Sequence, residues 1–271
     1  MTRQYCHIGS RTIAYLDSAP GDTTLRTYVL LHAFPIGANL WEPQMRSIPP
    51  GWRLITPDLR GFGGSTELDS LSALSISDFA DDVTDLLDEL GVERAVIGGA
   101  SMGGYAALAF LQAVPERVRA LVLANTRAGA DSPEARANRR NMLALVDREG
   151  PPGVAREMMP KLLGTTTRET NPEIEATVRR LIKQQSPVAV RSAIHRMMHR
   201  PDSTALLAQI TVPTLIITGE EDDLIPVNES RAMAAAVKGS QLVVIPHAGH
   251  LSNLEQPDAF NTALNAFLTT L

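Results

Sequence analysis

The chain has one cysteine, Cys6, so no internal disulfide can form, and a reducing cytoplasm is the expected setting. It has no basic excess. The net charge is −5, which argues against a nucleic-acid partner. No apolar run approaches membrane-spanning length, and the alternating N-terminus MTRQYCHIGSRTIAYLD holds no signal-peptide core. There is no Gly-Lys pair for a P-loop, and the glycine-rich stretch Gly98 to Gly104 does not satisfy G-x-G-x-x-G. Internal repeats and low-complexity tracts are also missing. These absences leave a cytoplasmic protein as the default, with no membrane or nucleic-acid partner expected.

What is present fits a soluble globular chain. Of 271 residues, 44% are hydrophobic and 20% charged, enough for one core or a core with an appended lobe. Charge is unevenly placed. Between Arg127 and Arg200 there are 14 Lys+Arg against 8 Asp+Glu, while the rest of the chain has 11 against 22.

Short runs rich in Val, Ile and Leu recur along the chain: YVLLH (from Tyr28), RLIT (from Arg53), RAVIGG (from Arg94), VRALVLA (from Val118), PTLIITG (from Pro213) and QLVVIP (from Gln241). Their near-continuous hydrophobicity predicts parallel strands covered on both faces. Tyr5 to Ile8 and Thr12 to Leu16 suit an edge hairpin. Helices are predicted between the strands: Ser77 to Gly91, with Ser77 as N-cap and Gly91 as C-cap, Met102 to Val114, Asn228 to Val237 and Asp258 to Leu271. The alternation predicts an α/β, doubly wound, mostly parallel sheet. Residues 127–208 break it. They hold helical patterns (Ala135 to Arg148, Pro172 to Gln185, Val188 to His199) but no strand. The expected organisation is a core of residues 1–126 and 209–271 with a helical lid of 127–208 inserted between its halves.

GASMG, Gly99 to Gly103, lies between a strand and a helix, the context of a G-x-S-x-G nucleophile elbow with Ser101 at its turn. A serine hydroxyl needs a histidine base, and that imidazole needs a carboxylate. His195 and His199 in HRMMH have zinc-pair spacing, but Arg196 stands where the glutamate of H-E-x-x-H belongs, so no metal is expected. His247 and His250 follow the last strand, and Gly249 gives His250 the freer backbone. Between serine and histidine lies GEEDDLIP, Gly219 to Pro226, with four adjacent acids. The other position for an acid, after VRALVLA, holds Asn125 and Thr126, neither of which can be an anion.

Five segments together resemble the α/β-hydrolase family: HAFP (from His32), PDLRGFGGS (from Pro57), GASMG, GEEDDLIP and AGHLSNLEQP (from Ala248). They appear in the family's order and cover the chain from about residue 28 to its end. The resemblance implies Ser101 as nucleophile, His250 as base and Asp222 as orienting acid, with Asp223 as fallback. Glu220, Glu221 and Asp223 are then solvated acids. It implies an oxyanion hole from the backbone N–H groups of Phe34 and Met102, although Ala33 replaces the usual glycine of that loop. Asp58 and Arg60 are expected to be structural.

The implied chemistry is hydrolysis of a carboxylic ester or lactone through an acyl-enzyme, without metal or cofactor. Ser101 argues against the aspartate-dependent dehalogenases and epoxide hydrolases. Among serine members, AGHLSNLEQP and the overall length resemble 3-oxoadipate enol-lactonase-like hydrolases and carboxylesterases, and the basic lid would suit an anionic lactone or form a solvated helical face. An acyltransferase or perhydrolase on the same site, and a ligand receptor without turnover, are the alternatives.

Overall fold

The computed structural model describes residues 2–66 and 75–271. Its strands are β1 (Gln4–Ile8), β2 (Arg11–Asp17), β3 (Arg26–Leu31), β4 (Trp52–Pro57), β5 (Ala95–Ala100), β6 (Val118–Ala124), β7 (Thr214–Gly219) and β8 (Gln241–Ile245). Its α-helices are α1 (Glu42–Met45), α2 (Ser77–Glu89), α3 (Met102–Ala113), α4 (Pro133–Leu162), α5 (Thr165–Thr170), α6 (Pro172–Lys183), α7 (Pro187–Met198), α8 (Thr204–Leu207), α9 (Val227–Ala236), α10 (Ser252–Glu255) and α11 (Pro257–Leu268).

The strands form one sheet in the order β1-β2-β4-β3-β5-β6-β7-β8. β1 and β2 form the antiparallel edge, and the other six strands run parallel. Side chains alternate across the sheet, as pleating requires. Val29 and Leu31 of β3 enter one apolar cluster with Phe79 and Leu86 of α2 and Phe110 of α3. Tyr28 and Leu30, one residue out of phase, enter a second with Met45 of α1 and Phe260 and Phe267 of α11. Each strand therefore needs apolar residues at consecutive positions, which accounts for the continuous hydrophobic runs. The fold is the doubly wound α/β architecture expected from the sequence.

Between β6 and β7 the chain makes α4 to α8, and no strand occurs there among the described residues. α4 begins at Pro133, where the Ser132 hydroxyl accepts the Ala135 N–H at 3.1 Å. It is broken at Gly150, whose φ of 63° is open to glycine and strained for other residues. Pro151 and Pro152 then fall in the first turn of a second helical segment, where a missing N–H costs nothing. The sequence pattern predicts a helix only for the first segment, because the prolines mask the second. α4 packs on α6 and α7, and its apolar residues join both core clusters.

One local expectation is corrected. Ser77 is not a cap but the first residue of α2, and its N–H donates to the Ser75 hydroxyl at 3.2 Å. Gly91 lies one residue past the C-cap Leu90. No helix among the described residues is long and apolar enough to cross a membrane.

Candidate active site

The turn from β5 into α3 places Ser101 at φ 51°, ψ −112°, a region that non-glycine residues occupy at a cost of about 1–3 kcal/mol. The neighbours compel it. A Cβ at Gly99 would stand 2.2 Å from the Gly103 carbonyl carbon, and one at Gly103 would stand 2.1 Å from the Leu31 carbonyl oxygen. Strand and helix can therefore meet this closely only with glycine at both positions. The Ser101 N–H donates to Ala124 at 2.9 Å, and its carbonyl accepts the Thr126 hydroxyl at 2.8 Å. Ser101 thus sits at the N-cap of α3, over the positive end of the helix.

Asp222 and His250 are both buried and meet at 2.8 Å, His250 Nδ1 to Asp222 Oδ2. The other carboxylate oxygen, Oδ1, accepts the N–H groups of Leu224 and Ile225, each at 2.9 Å. Asn125 Nδ2 donates to Asp222 Oδ2 at 2.9 Å and to the Gly249 carbonyl at 3.1 Å. Burial pushes the Asp222 carboxyl up. The adjoining His250 and the hydrogen bonds from His250, Asn125 and Ile225 outweigh it and hold the group below the ordinary aspartate range. Asp223, one residue on, is exposed. His247 is exposed too and lies 4.0 Å from Glu221.

Asn125 changes the reading of the strand end after β6. Asparagine there carries no charge and cannot be the acid. Yet its amide joins the acid loop to the histidine loop, and its Oδ1 accepts the Ser252 hydroxyl at 2.5 Å. A polar residue at the mouth of a buried strand was the signal available.

Glu221 departs from its expectation as a solvated acid. It accepts the Thr166 N–H at 2.9 Å and the Thr166 hydroxyl at 2.5 Å. The run GEEDDLIP thus holds two tethered carboxylates, Glu221 and Asp222, and two exposed ones, Glu220 and Asp223.

The loop after β3 carries Phe34. His32 within it is fully buried: its Nε2 accepts the Leu59 N–H at 2.9 Å, so the proton is assigned to Nδ1, which donates to the Ala33 carbonyl at 3.0 Å. Burial pushes the His32 pKa down to about 4, so the ring is neutral near pH 7. Ala33 is accommodated in place of glycine because its φ lies outside the left-handed region. Asp58 accepts the N–H groups of Ala38 at 2.8 Å and Gly64 at 3.1 Å, and Arg60 makes a two-pronged bond to Asp82, at 2.8 and 2.5 Å. Both hold loops in place, as expected.

Ser101, His250 and Phe34 line one cavity of about 530 Å³. Leu224 and Ile225 of the acid loop and Met142, Leu145, Met158 and Met197 of α4 and α7 supply apolar wall. Arg127, Arg139, Arg148 and Lys161 also line it, against one acid, Glu157. Arg127 and Arg139 are held by the buried Asp131, at 3.1 and 3.0 Å, and Arg200 binds the same carboxylate at 2.6 Å. Burial raises the Asp131 carboxyl, but Arg139 and Arg200 bring it below its usual range. His195 and His199 lie on α7 and at its C-cap with stacked rings, and neither lines the cavity.

A doubly wound sheet, a serine at a strained strand-to-helix turn and a buried Asp–His pair beyond the later strands define a hydrolase. The chain belongs to the α/β-hydrolase fold family, whose family model matches residues 28–257. It is 30% identical over 270 residues to the 2-hydroxy-6-oxononadienedioate/2-hydroxy-6-oxononatrienedioate hydrolase of Klebsiella pneumoniae, covering 96% of this chain and 92% of that protein. A thermophilic esterase from Thermogutta terrifontis, solved with malate bound, superposes with a TM-score of 0.92 at 37% identity, covering 100% of this chain and 99% of that one. The enol-lactonase of Burkholderia xenovorans LB400 superposes with a TM-score of 0.88 at 26% identity, covering 98% and 100%.

Proposed function

We propose that the protein hydrolyses carboxylic esters or lactones, with Ser101 as nucleophile, His250 as general base and Asp222 as its orienting acid. The observation that carries this reading is the buried 2.8 Å bond from His250 to Asp222, on the wall of the cavity that Ser101 also lines. Asp222 fixes the imidazole with its proton on Nδ1, leaving Nε2 to accept the serine proton. Ser101 Oγ attacks the carbonyl carbon and His250 takes the proton. The tetrahedral oxyanion is received by the backbone N–H groups of Phe34 and Met102, each worth about 100–1,000-fold in rate. His250 then protonates the leaving alkoxide. Water repeats the cycle on the acyl-enzyme and frees the acid.

In this reading the helices of residues 127–208 are a cap that shapes the substrate end of the cavity. The cations along its wall, of which Arg127 and Arg139 share Asp131 and Arg148 pairs with Glu149, favour an acyl or alcohol group that carries a carboxylate. The malate bound to the Thermogutta terrifontis esterase and the dioate named for the Klebsiella pneumoniae hydrolase are in keeping with that preference.

The same dioate hydrolase favours a second reading, in which the bond cleaved is carbon–carbon in an oxo-dicarboxylate. The ester reading stands first because the esterase is the more identical of the two, at 37%.

The test is substrate turnover with Ser101→Ala. Wild-type protein is expected to turn over short p-nitrophenyl esters or enol-lactones repeatedly and to be labelled by a fluorophosphonate, and Ser101→Ala to do neither. Appreciable residual turnover in Ser101→Ala would remove the serine from its role. A single turnover would point to a receptor, and products formed with added alcohol or peroxide would point to acyl transfer. Cleavage of a vinylogous 1,5-diketone in preference to esters would favour the second reading.

A further inference from the structure

Glu255 lies at the end of α10, five residues beyond His250, and is buried. Its Oε1 accepts the Leu251 N–H at 3.0 Å, and its Oε2 accepts the Gly164 N–H at 2.7 Å. The Gly249 N–H and the Thr167 hydroxyl lie near it and favour its charged form. Gly249 and Leu251 are the two chain neighbours of His250, and Gly164 and Thr167 belong to the strap Leu163 to Thr167, which runs from the end of α4 into α5. One carboxylate therefore holds the backbone next to the histidine and ties it to the segment between β6 and β7.

Three backbones meet at the same place without side chains between them. A Cβ at Gly249 would stand 2.2 Å from the Gly164 nitrogen. At Gly164 it would stand 2.5 Å from Glu221 Oε2 and 2.8 Å from the Gly249 nitrogen, and at Gly219 it would stand 2.1 Å from the Gly249 carbonyl oxygen. Gly219 opens the acid loop, Gly249 precedes His250, and Gly164 belongs to the strap. Glu221, on the acid loop, grips the strap a second time through Thr166.

We propose that Glu255 and the strap Leu163 to Thr167 form a positioning device for His250, so that the helical insertion sets the geometry of the base as well as shaping the cavity. The inference rests on the triad reading above. It explains why the buried group is a carboxylate. Two backbone N–H groups donate to it, one to each oxygen, and an ionised carboxylate offers only acceptors. A glutamine of the same shape would turn two N–H donors toward donors. Burial pushes the Glu255 carboxyl above the ordinary range, against the opposing pull of the neighbouring Gly249, Thr167, Gly164 and Leu251 groups.

The test uses the full chain with two variants, Glu255→Gln and Gly164→Ala, and the control Glu173→Gln at the exposed start of α6. The readouts are kcat and KM on a short ester and the low-field NMR resonance of the His250 Nδ1 proton. Each variant is expected to lower kcat about 10- to 100-fold with KM within about twofold, because a displaced base costs rate rather than binding. The Nδ1 resonance is expected to shift or broaden, and the control to match wild type in both. If Glu255→Gln does not fold, Gly164→Ala carries the test from the other side of the contact. Folded variants with wild-type kcat and an unchanged resonance would overturn the proposal, as would a loss confined to KM. Turnover by Ser101→Ala would sink the triad reading instead, so the two failures are distinct.

Discussion

At the scale of single residues, the acid loop separates two neighbouring aspartates by environment alone. Asp222 receives two backbone N–H groups, the Asn125 amide and the His250 ring, whereas Asp223 is exposed. An asparagine at Asp222 would turn an amide group toward those donors and would favour the wrong imidazole tautomer. Asp222→Asn is therefore expected to reduce kcat by orders of magnitude, on the order of 10⁴-fold, while Asp223→Asn stays near wild type. Steady-state kinetics on one ester decides it, and the reverse ranking would move the acid by one position. The sequence pointed to Asp222 through the family resemblance, whose acid-loop pattern laid over Gly219 and Pro226 falls on that position. It did not carry Asn125, Glu221 or Glu255. Their importance lies in what folds against them from 55 to 127 residues away, and no local spacing encodes such partners.

At the scale of elements, the strands were the most legible part. A buried parallel strand needs apolar residues on both faces, so VRALVLA announces β6 at its full length, Val118 to Ala124. The elbow was equally plain, since close strand–helix contact demands glycine at Gly99 and Gly103. The second half of α4 was hidden. Prolines read as breakers unless the residue before them resets the helix, as Gly150 does. The loop after β3 shows a junction that the sequence suggested only in outline. His32 joins it to the loop after β4 through Leu59, as a buried neutral ring. Its folded pKa of about 4 lies below the ordinary value of 6.5, so the unfolded chain takes up a proton that the native state refuses. The stability this provides is full above about pH 6.5 and drains away as pH falls toward 4. A shift of that size corresponds to about 3 kcal/mol. Urea unfolding at pH 7 and pH 4.5 is expected to show this loss in wild type and a much flatter response in His32→Gln. Parallel pH slopes in the two proteins would refute it.

At the scale of the whole molecule, charge is divided between an acidic core and a basic insertion, and the division meets at the cavity. The segment Arg127 to Arg200 has six more basic than acidic residues, counted as 14 against 8. A solvated helical face would explain that surplus, but it would not explain why Arg127 and Arg139 are tethered at the cavity wall. Asp131 binds them together with Arg200, so three cations share one buried anion and the cluster keeps a positive excess. Such a cluster attracts an anionic group entering the cavity, and salt weakens the attraction only partly where the cavity is sheltered. Removing Arg127 leaves Asp131 with two of its three partners, so the fold is expected to survive. Arg127→Gln should then lower kcat/KM for an ester bearing a free carboxylate by about tenfold, the loss of one charge-assisted hydrogen bond. A neutral ester of the same length should be processed as in wild type. The ratio of the two kcat/KM values, measured at low and at high salt, separates the alternatives. A ratio that Arg127→Gln leaves unchanged would assign the cations to solvation of the insertion, whereas a ratio that collapses would assign them to recognition of the substrate's anionic end.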